Sequence, residues 1–290
     1  MHRLVLSSAV LASLPLVLSA CGGASQASVS PRTAIETVYH VGATTSDSYH
    51  LNERVTVSVN SKPEATTSVV GNIYNDPTKP SSSYASFNTA YSAAGKNSGP
   101  LLILVKNNQT YFNASAFHLS GVKTTPGWKT MSMSTYLADQ NSGSSSSITP
   151  VISMHAQSNL IRTLLQGAKF SSDGTVVVNG KTVNKYTAST TVAQFSSDIS
   201  STSGQLAISL ARILSIYHLA GQITFTVETN NNDRLVAIDA SFSASFKPAA
   251  GSSTSYQLGI NIQEQYSHYG IAFSVHPPSG AKAITNFSGI

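Results

Sequence analysis

The chain has one cysteine, Cys21. No second thiol exists for a disulfide or for a thiolate metal site. Charge is also scarce. Asp, Glu, Lys and Arg make up 10% of the residues, against about 25% in an average soluble protein. Ser, Thr and Asn replace them as surface polar groups, so solubility rests on neutral hydrogen-bonding side chains. The formal net charge of +5 is mild and evenly scattered, and no basic patch with interleaved aromatics is visible, which excludes a nucleic-acid partner. The eight histidines show no His-x-x-x-His or His-x-His spacing. His268 and His276 lie eight apart, far from each other along a strand, so no metal is expected. There is no Gly-x-Ser-x-Gly elbow. Ser120-Gly121-Val122-Lys123 fits a Ser-x-x-Lys pattern, but the Lys-Thr-Gly and Ser-Asp-Asn triplets that support it in that class of serine enzyme are missing. The expectation is a non-enzyme without cofactor.

A long apolar run is missing everywhere except at the N-terminus. Leu4 to Leu18 is almost wholly apolar, interrupted by Pro15, behind a short basic start at His2 and Arg3. That is the length of a signal-peptide core and falls short of the ~20 apolar residues of a membrane span. The run ends in Leu18-Ser19-Ala20-Cys21, followed by Gly22-Gly23. Small residues before a cut suit a signal peptidase, whose site must admit an extended backbone. The cysteine directly after them resembles the lipobox of bacterial lipoproteins, where the thiol receives a diacylglyceryl group. Two acyl chains anchor stably where one binds marginally. Residues 1–20 are therefore expected to be a leader, and 21–30 a flexible tether from lipidated Cys21. The membrane partner would be reached through that lipid, on the extracytoplasmic face, periplasmic or at the cell surface.

The rest alternates. Ser30-Pro31 reads as a helix start, with Ser as cap and Pro at the first helical position; Ile35, Val38 and Val41 make its stripe. Val55, Val57 and Val59 occupy one parity of a strand, as do Val69, Gly71 and Ile73, then Ala85, Phe87 and Thr89. A strict period of two marks a half-buried antiparallel strand. Leu101 to Val105 is apolar on both parities and reads as a central strand around Ile103. Asn107-Asn108 offers a turn into Tyr111 and Phe112. Gln140 to Ser147 is a Ser-rich loop, and Pro150 to Ala168 reads as helical, with Leu160 and Leu164 at helical spacing. Val176 to Val178, Asn179-Gly180 and Val183 to Thr190 read as a hairpin. Val192 to Leu219 is a second helical stretch, apolar nearly all round at Leu206, Leu210 and Ile213, so it must be covered on most sides. Four strands close the chain. They carry Ile223, Phe225 and Val227; then Val236, Ile238, Ala240, Phe242 and Ala244; then Tyr256, Leu258, Ile260 and Ile262; and last Ile271, Phe273 and Val275.

The order is helix, about five strands, helices, hairpin, helix, four strands. No repeat or linker divides it, so one domain is expected over 31–280 with a loose tail at 281–290. The class is α+β, a long antiparallel sheet whose apolar face is covered by the helices.

This order and several local motifs resemble the LppX/LprA/LprF/LprG lipoproteins of mycobacteria and related bacteria, which share a fold with the lipoprotein carrier LolA and its partner LolB. The motifs are the Cys21 lipobox, Val178-Asn179-Gly180-Lys181-Thr182 leading into Tyr186, Phe225-Thr226-Val227-Glu228 before Asp233-Arg234-Leu235, and Tyr266-Ser267-His268-Tyr269-Gly270 before Pro277. Trp128 sits where the family carries a glycine-then-tryptophan strand, and Glu228 stands where it usually has Asp. The resemblance implies a strongly curved antiparallel half-barrel closed by helices over an apolar cavity, which in several members holds acylated lipids or glycolipids. Cavity candidates on the strands are then Val55, Val57, Phe87, Ile103, Phe225, Ile238, Phe242, Ile260 and Phe273. On the helices they are Leu160, Leu164, Leu206, Leu210 and Ile213. The implied function is a membrane-anchored lipoprotein that binds and transfers an acylated lipid, glycolipid or lipoprotein. The same apolar rows would equally pack a filled core, and the alternative is a non-catalytic surface or envelope interaction lipoprotein. The sequence names no protein partner.

Overall fold

A computed structural model describes residues 30–42, 44–93, 96–118, 125–135, 167–178, 180–200, 220–246 and 254–286. Cys21, the leader and most of the tether lie outside the described residues, as do Gln140 to Ser147, Ser120 to Lys123, Leu160, Leu164, Leu206, Leu210 and Ile213.

The first helix, α1 (Pro31–Gly42), begins where the sequence places it. The Ser30 hydroxyl accepts the Thr33 N–H at 3.2 Å, which satisfies one of the free N–H groups at a helix start. Ile35 and Val38 are buried, and Arg32 lies 5.6 Å over the Phe170 ring.

The strands are β1 (Asp47–Val59), β2 (Lys62–Asn75), β3 (Tyr84–Ala93), β4 (Lys96–Lys106), β5 (Gln109–Asn113), β6 (Trp128–Ser132), β7 (Lys169–Val178), β8 (Lys181–Thr191), β9 (Ala220–Thr229), β10 (Leu235–Phe246), β11 (Tyr256–Ser267) and β12 (Lys282–Ala283). A second helix, α2 (Val192–Ser200), follows β8 directly. All twelve strands form one sheet in the order β12-β6-β5-β4-β3-β2-β1-β11-β10-β9-β8-β7. Every pairing is antiparallel except β12 on β6. Two meanders, β1 to β6 and β7 to β11, are thus joined along the β1–β11 ladder.

Local chemistry sets the hairpins. Asn60 and Ser61 (φ 51° and 64°), and Asn107 and Asn108 (φ 53° and 57°), are left-handed pairs. That is the two-residue turn whose twist matches the flanking strands. The alternation holds along β1, β2 and β3, where one parity is buried and the other faces outward. At Gly71 a methyl group would collide with the Ser86 carbonyl and the Phe87 ring, so the missing side chain lets that phenylalanine lie across β2.

Several expectations change. The sheet is open, with β12 and β7 as its edges, and it is not strongly curled. Curvature concentrates at bulges and glycine kinks; register shifts occur in the β1–β2, β3–β4, β7–β8 and β9–β10 ladders, but the ladders of β11 with β1 and with β10 at the middle of the sheet run without one. β4 is central in order but covered on one side only: Leu101, Ile103 and Val105 are buried while Leu102 is exposed. A bulge between Leu235 and Ala237 puts Leu235, not Val236, on the buried face. Ile271 to Val275 is not a strand. Both edges of β11 are already taken by β1 and β10, so no ladder remains for a strand that follows it. The segment instead straps across strand ends. Gly270 N–H donates to the Ser48 carbonyl (2.8 Å), the Ser48 hydroxyl to the Ile271 carbonyl (2.7 Å), and the Tyr84 hydroxyl to the Phe273 carbonyl (3.2 Å). It ends in β12, whose Lys282 and Ala283 pair with Lys129 and Thr130 of β6, so this part of the expected tail is held.

Candidate functional site

From β1 to β5 and from β8 to β11 the apolar parity points to one face, and the register aligns those positions in rows across the sheet. One row runs Phe112, Ile103, Phe87, Gly71, Leu51, Tyr266. Another runs Ala188, Phe225, Ala240, Ile262, Val55, Thr67, Tyr91. A third joins Ile223, Phe242, Ile260, Val57 and Ala65. Val55, Val57, Phe87, Ile103, Phe225 and Ile238 are buried, while Phe242 and Ile260 are half-buried against the same cluster. Eight candidates named from the sequence thus share this inner face. At one end it is covered by α1 against β7 and β8, and by α2 against β8 and β9.

Phe273 lies elsewhere. It sits on the strap with its ring 4.9 Å from Tyr84, which stacks on Tyr74 at 4.9 Å. Tyr74 and Tyr84 have the outward parity of β2 and β3, and Lys106 Nζ lies 4.5 Å over the Tyr84 ring. Phe273 therefore joins an outer-face aromatic group.

The row between the Leu51 and Val55 rows carries what the apolar reading missed. It runs Leu101, Thr89, Val69, Glu53, Glu264, Ile238, Val227. Glu53 on β1 and Glu264 on β11 are directly opposite in the antiparallel ladder, where facing Cβ atoms are roughly 5 Å apart. They are 0% and 1% exposed. A carboxylate without a partner in such a place is far costlier than a neutral acid. Burial accordingly pushes the Glu53 carboxyl up to about 8, so it is protonated at neutral pH. Among the described residues neither Glu53 oxygen has a hydrogen-bond partner. Glu264 differs, because Oε2 accepts a hydrogen bond from the Tyr266 hydroxyl.

Three tyrosines frame the pair. The Tyr49 ring lies 5.7 Å from those of both Tyr266 and Tyr269. Burial and the Glu264 charge push the Tyr266 phenol well above its ordinary value, and burial with the Tyr269 and Glu264 charges does the same for Tyr49. The Tyr49 hydroxyl and Thr89 Oγ1 also lack hydrogen-bond partners among the described residues. Tyr269 donates to the Leu235 carbonyl at 2.9 Å and carries Arg234 over its ring at 4.8 Å. Arg234 reaches Asp47 at 3.3 Å, which brings the Asp233-Arg234-Leu235 and Tyr266-to-Gly270 motifs into contact.

The signal for the carboxyl pair was in the sequence. Glu53 continues the parity of Val55 and Val57, and Glu264 that of Leu258, Ile260 and Ile262. An acidic residue on the buried parity of an apolar strand marks a position that packing alone does not explain. Among the described residues no group of three or more His, Cys, Asp or Glu is placed to hold a metal, and no helix is long and apolar enough to cross a membrane.

No protein-family model and no curated protein matches the chain. The fold is similar to the crystal structure of LprF from Mycobacterium bovis, at 13% identity and a TM-score of 0.46, over 86% of this chain and 97% of that one. It is also similar to the Mycobacterium tuberculosis lipoprotein LppX, at 16% identity and a TM-score of 0.43, over 85% and 98%. A lipoprotein-sorting domain from Vibrio parahaemolyticus is more distant, at 9% identity and a TM-score of 0.24, over 77% and 84%. LprF and LppX are members of the family that the sequence motifs resemble.

Proposed function

We propose that this protein is a membrane-anchored, extracytoplasmic lipoprotein that binds and transfers an acylated lipid, glycolipid or lipoprotein. The observation that carries the reading is the inner face itself, whose apolar rows cross the sheet and keep one parity throughout. Acyl chains laid along such rows leave water at ~0.8 kcal/mol per CH₂, and no catalytic group is needed. In this reading the helices complete the cover over the inner face, and the diacylglyceryl group on Cys21 keeps that face beside the bilayer.

The full chain carrying Cys21→Ala tests it, since no anchor lipid then competes for the face. Native mass spectrometry of the purified protein is expected to find bound lipid, and long-chain lipids are expected to raise its melting temperature. Repeated recovery of empty protein with no shift overturns the reading. The complete burial of Tyr49, Leu51 and Val69 favours a second one, an interaction lipoprotein with a filled core, and the empty outcome is the result that reading requires.

A further inference from the structure

The inner face excludes water yet holds a polar row at its middle. Thr89, Glu53 and Glu264 stand in one row on β3, β1 and β11, with Val69 between the first two. Tyr49 lies on the same face of β1, near enough for the Glu264 charge to act on its phenol. Among the described residues, Thr89 Oγ1, the Tyr49 hydroxyl and both Glu53 oxygens have no hydrogen-bond partner. Buried polar groups in native proteins are nearly always paired. Several unpaired ones on a single face, among the described residues, mark a place that can receive a polar partner.

We propose that Glu53 and Glu264, flanked by Tyr49 and Thr89, form a polar subsite that binds a hydroxyl borne on the hydrocarbon chain of the ligand. The proposal rests on the lipid-binding reading of this face. Position and chemistry choose the class. A hydrated head group belongs at the rim, where water completes its shell. Glu53 instead sits in mid-strand on β1, with six of the other strands on one side in the sheet order and five on the other. A group that reaches it is surrounded by the apolar rows, as a group on a chain would be. An anionic group is repelled by the Glu264 charge. An ammonium offers donors only and would leave the Tyr49, Thr89 and Glu53 protons unmatched. A hydroxyl both donates and accepts. It takes the proton of neutral Glu53 on its oxygen and gives its own to Glu264, Tyr49 or Thr89.

The test uses the full chain with Cys21→Ala and displacement of an apolar fluorescent dye. The probes are methyl stearate, methyl 12-hydroxystearate and octadecylamine. Starting protein is expected to bind the hydroxy ester at least tenfold more tightly than the plain ester, because a site built to hydrogen-bond a hydroxyl rejects the analogue without it. Glu53→Leu is expected to abolish or reverse that order, since the hydroxyl would then be buried unpaired. Glu53→Gln, which still donates and accepts, is expected to retain the preference. Equal binding of the two esters to the starting protein overturns the subsite, as does a preference that survives Glu53→Leu. Equal loss of both esters in Glu53→Leu overturns it too, because that marks a purely structural role. Tighter binding of the amine than of the hydroxy ester overturns the ligand class. If dye and plain ester fail to bind the starting protein at all, it is the lipid-binding reading that falls.

Discussion

Glu53 makes the pH dependence of stability readable at a single residue. Its folded value is raised to about 8, whereas a glutamate in an unfolded chain titrates near ~4.3. Between these values the unfolded chain releases the proton and the folded chain keeps it. The native state then binds more protons, so unfolding free energy falls as pH rises through the window and levels off above it. The group directly opposite Glu53 is Glu264 on β11, and the phenols of Tyr49 and Tyr266, on which the Glu264 charge acts, are raised further out of range. Glu53→Gln is expected to remove a loss on the order of a few kcal/mol between pH 5 and pH 8. Urea titrations of both proteins at the two pH values measure it, and parallel pH trends would show that Glu53 is ionised in the folded state. Gly71→Ala makes the opposite test of tight packing. The new methyl meets the Ser86 carbonyl and the Phe87 ring, and overpacking of this kind costs roughly 1–3 kcal/mol, visible as a lower urea midpoint.

Elements here are specified by short signals of unequal reach. The Ser30 cap, the Asn107-Asn108 turn and the run of alternating strands were legible because each depends on neighbours within a few residues. Asn108→Gly is expected to be neutral within about 0.5 kcal/mol, while Asn108→Val is expected to cost roughly 1–2 kcal/mol, because a β-branched residue resists positive φ. Thermal denaturation of the pair distinguishes them, and equal midpoints would mean the turn relaxes to another form. The segment from Ile271 to Val275 shows where local reading stops. It alternates like a strand, yet it has no ladder, because β1 and β10 occupy both edges of β11. Alternation reports an extended chain with one buried side. Whether a partner edge is free is a property of the sheet. The bulge that exchanges Val236 for Leu235 on the buried face is hidden for the same reason, since it exists only relative to β9.

On the scale of the whole molecule, the proposed role joins an anchor at one end to an apolar face in the body. Cys21→Ala is expected to shift the protein from the membrane pellet to the soluble fraction or to leave it uncleaved. Fractionation identical to the unaltered protein would remove the lipobox from the argument. The sequence alone determined the parity of most strands, the two-residue turns and the resemblance to the LppX and LprF group, since all of these are encoded in contiguous residues. Tertiary structure decided how the strands line up. The β1–β11 ladder joins positions about 200 residues apart in the chain, and no local pattern carries that register. A shift of one residue would turn either strand's buried row outward. Only that register sets Glu53 against Glu264, ties Tyr49 to Tyr266 and Tyr269, and turns a few polar residues scattered through the sequence into one polar row within an apolar face.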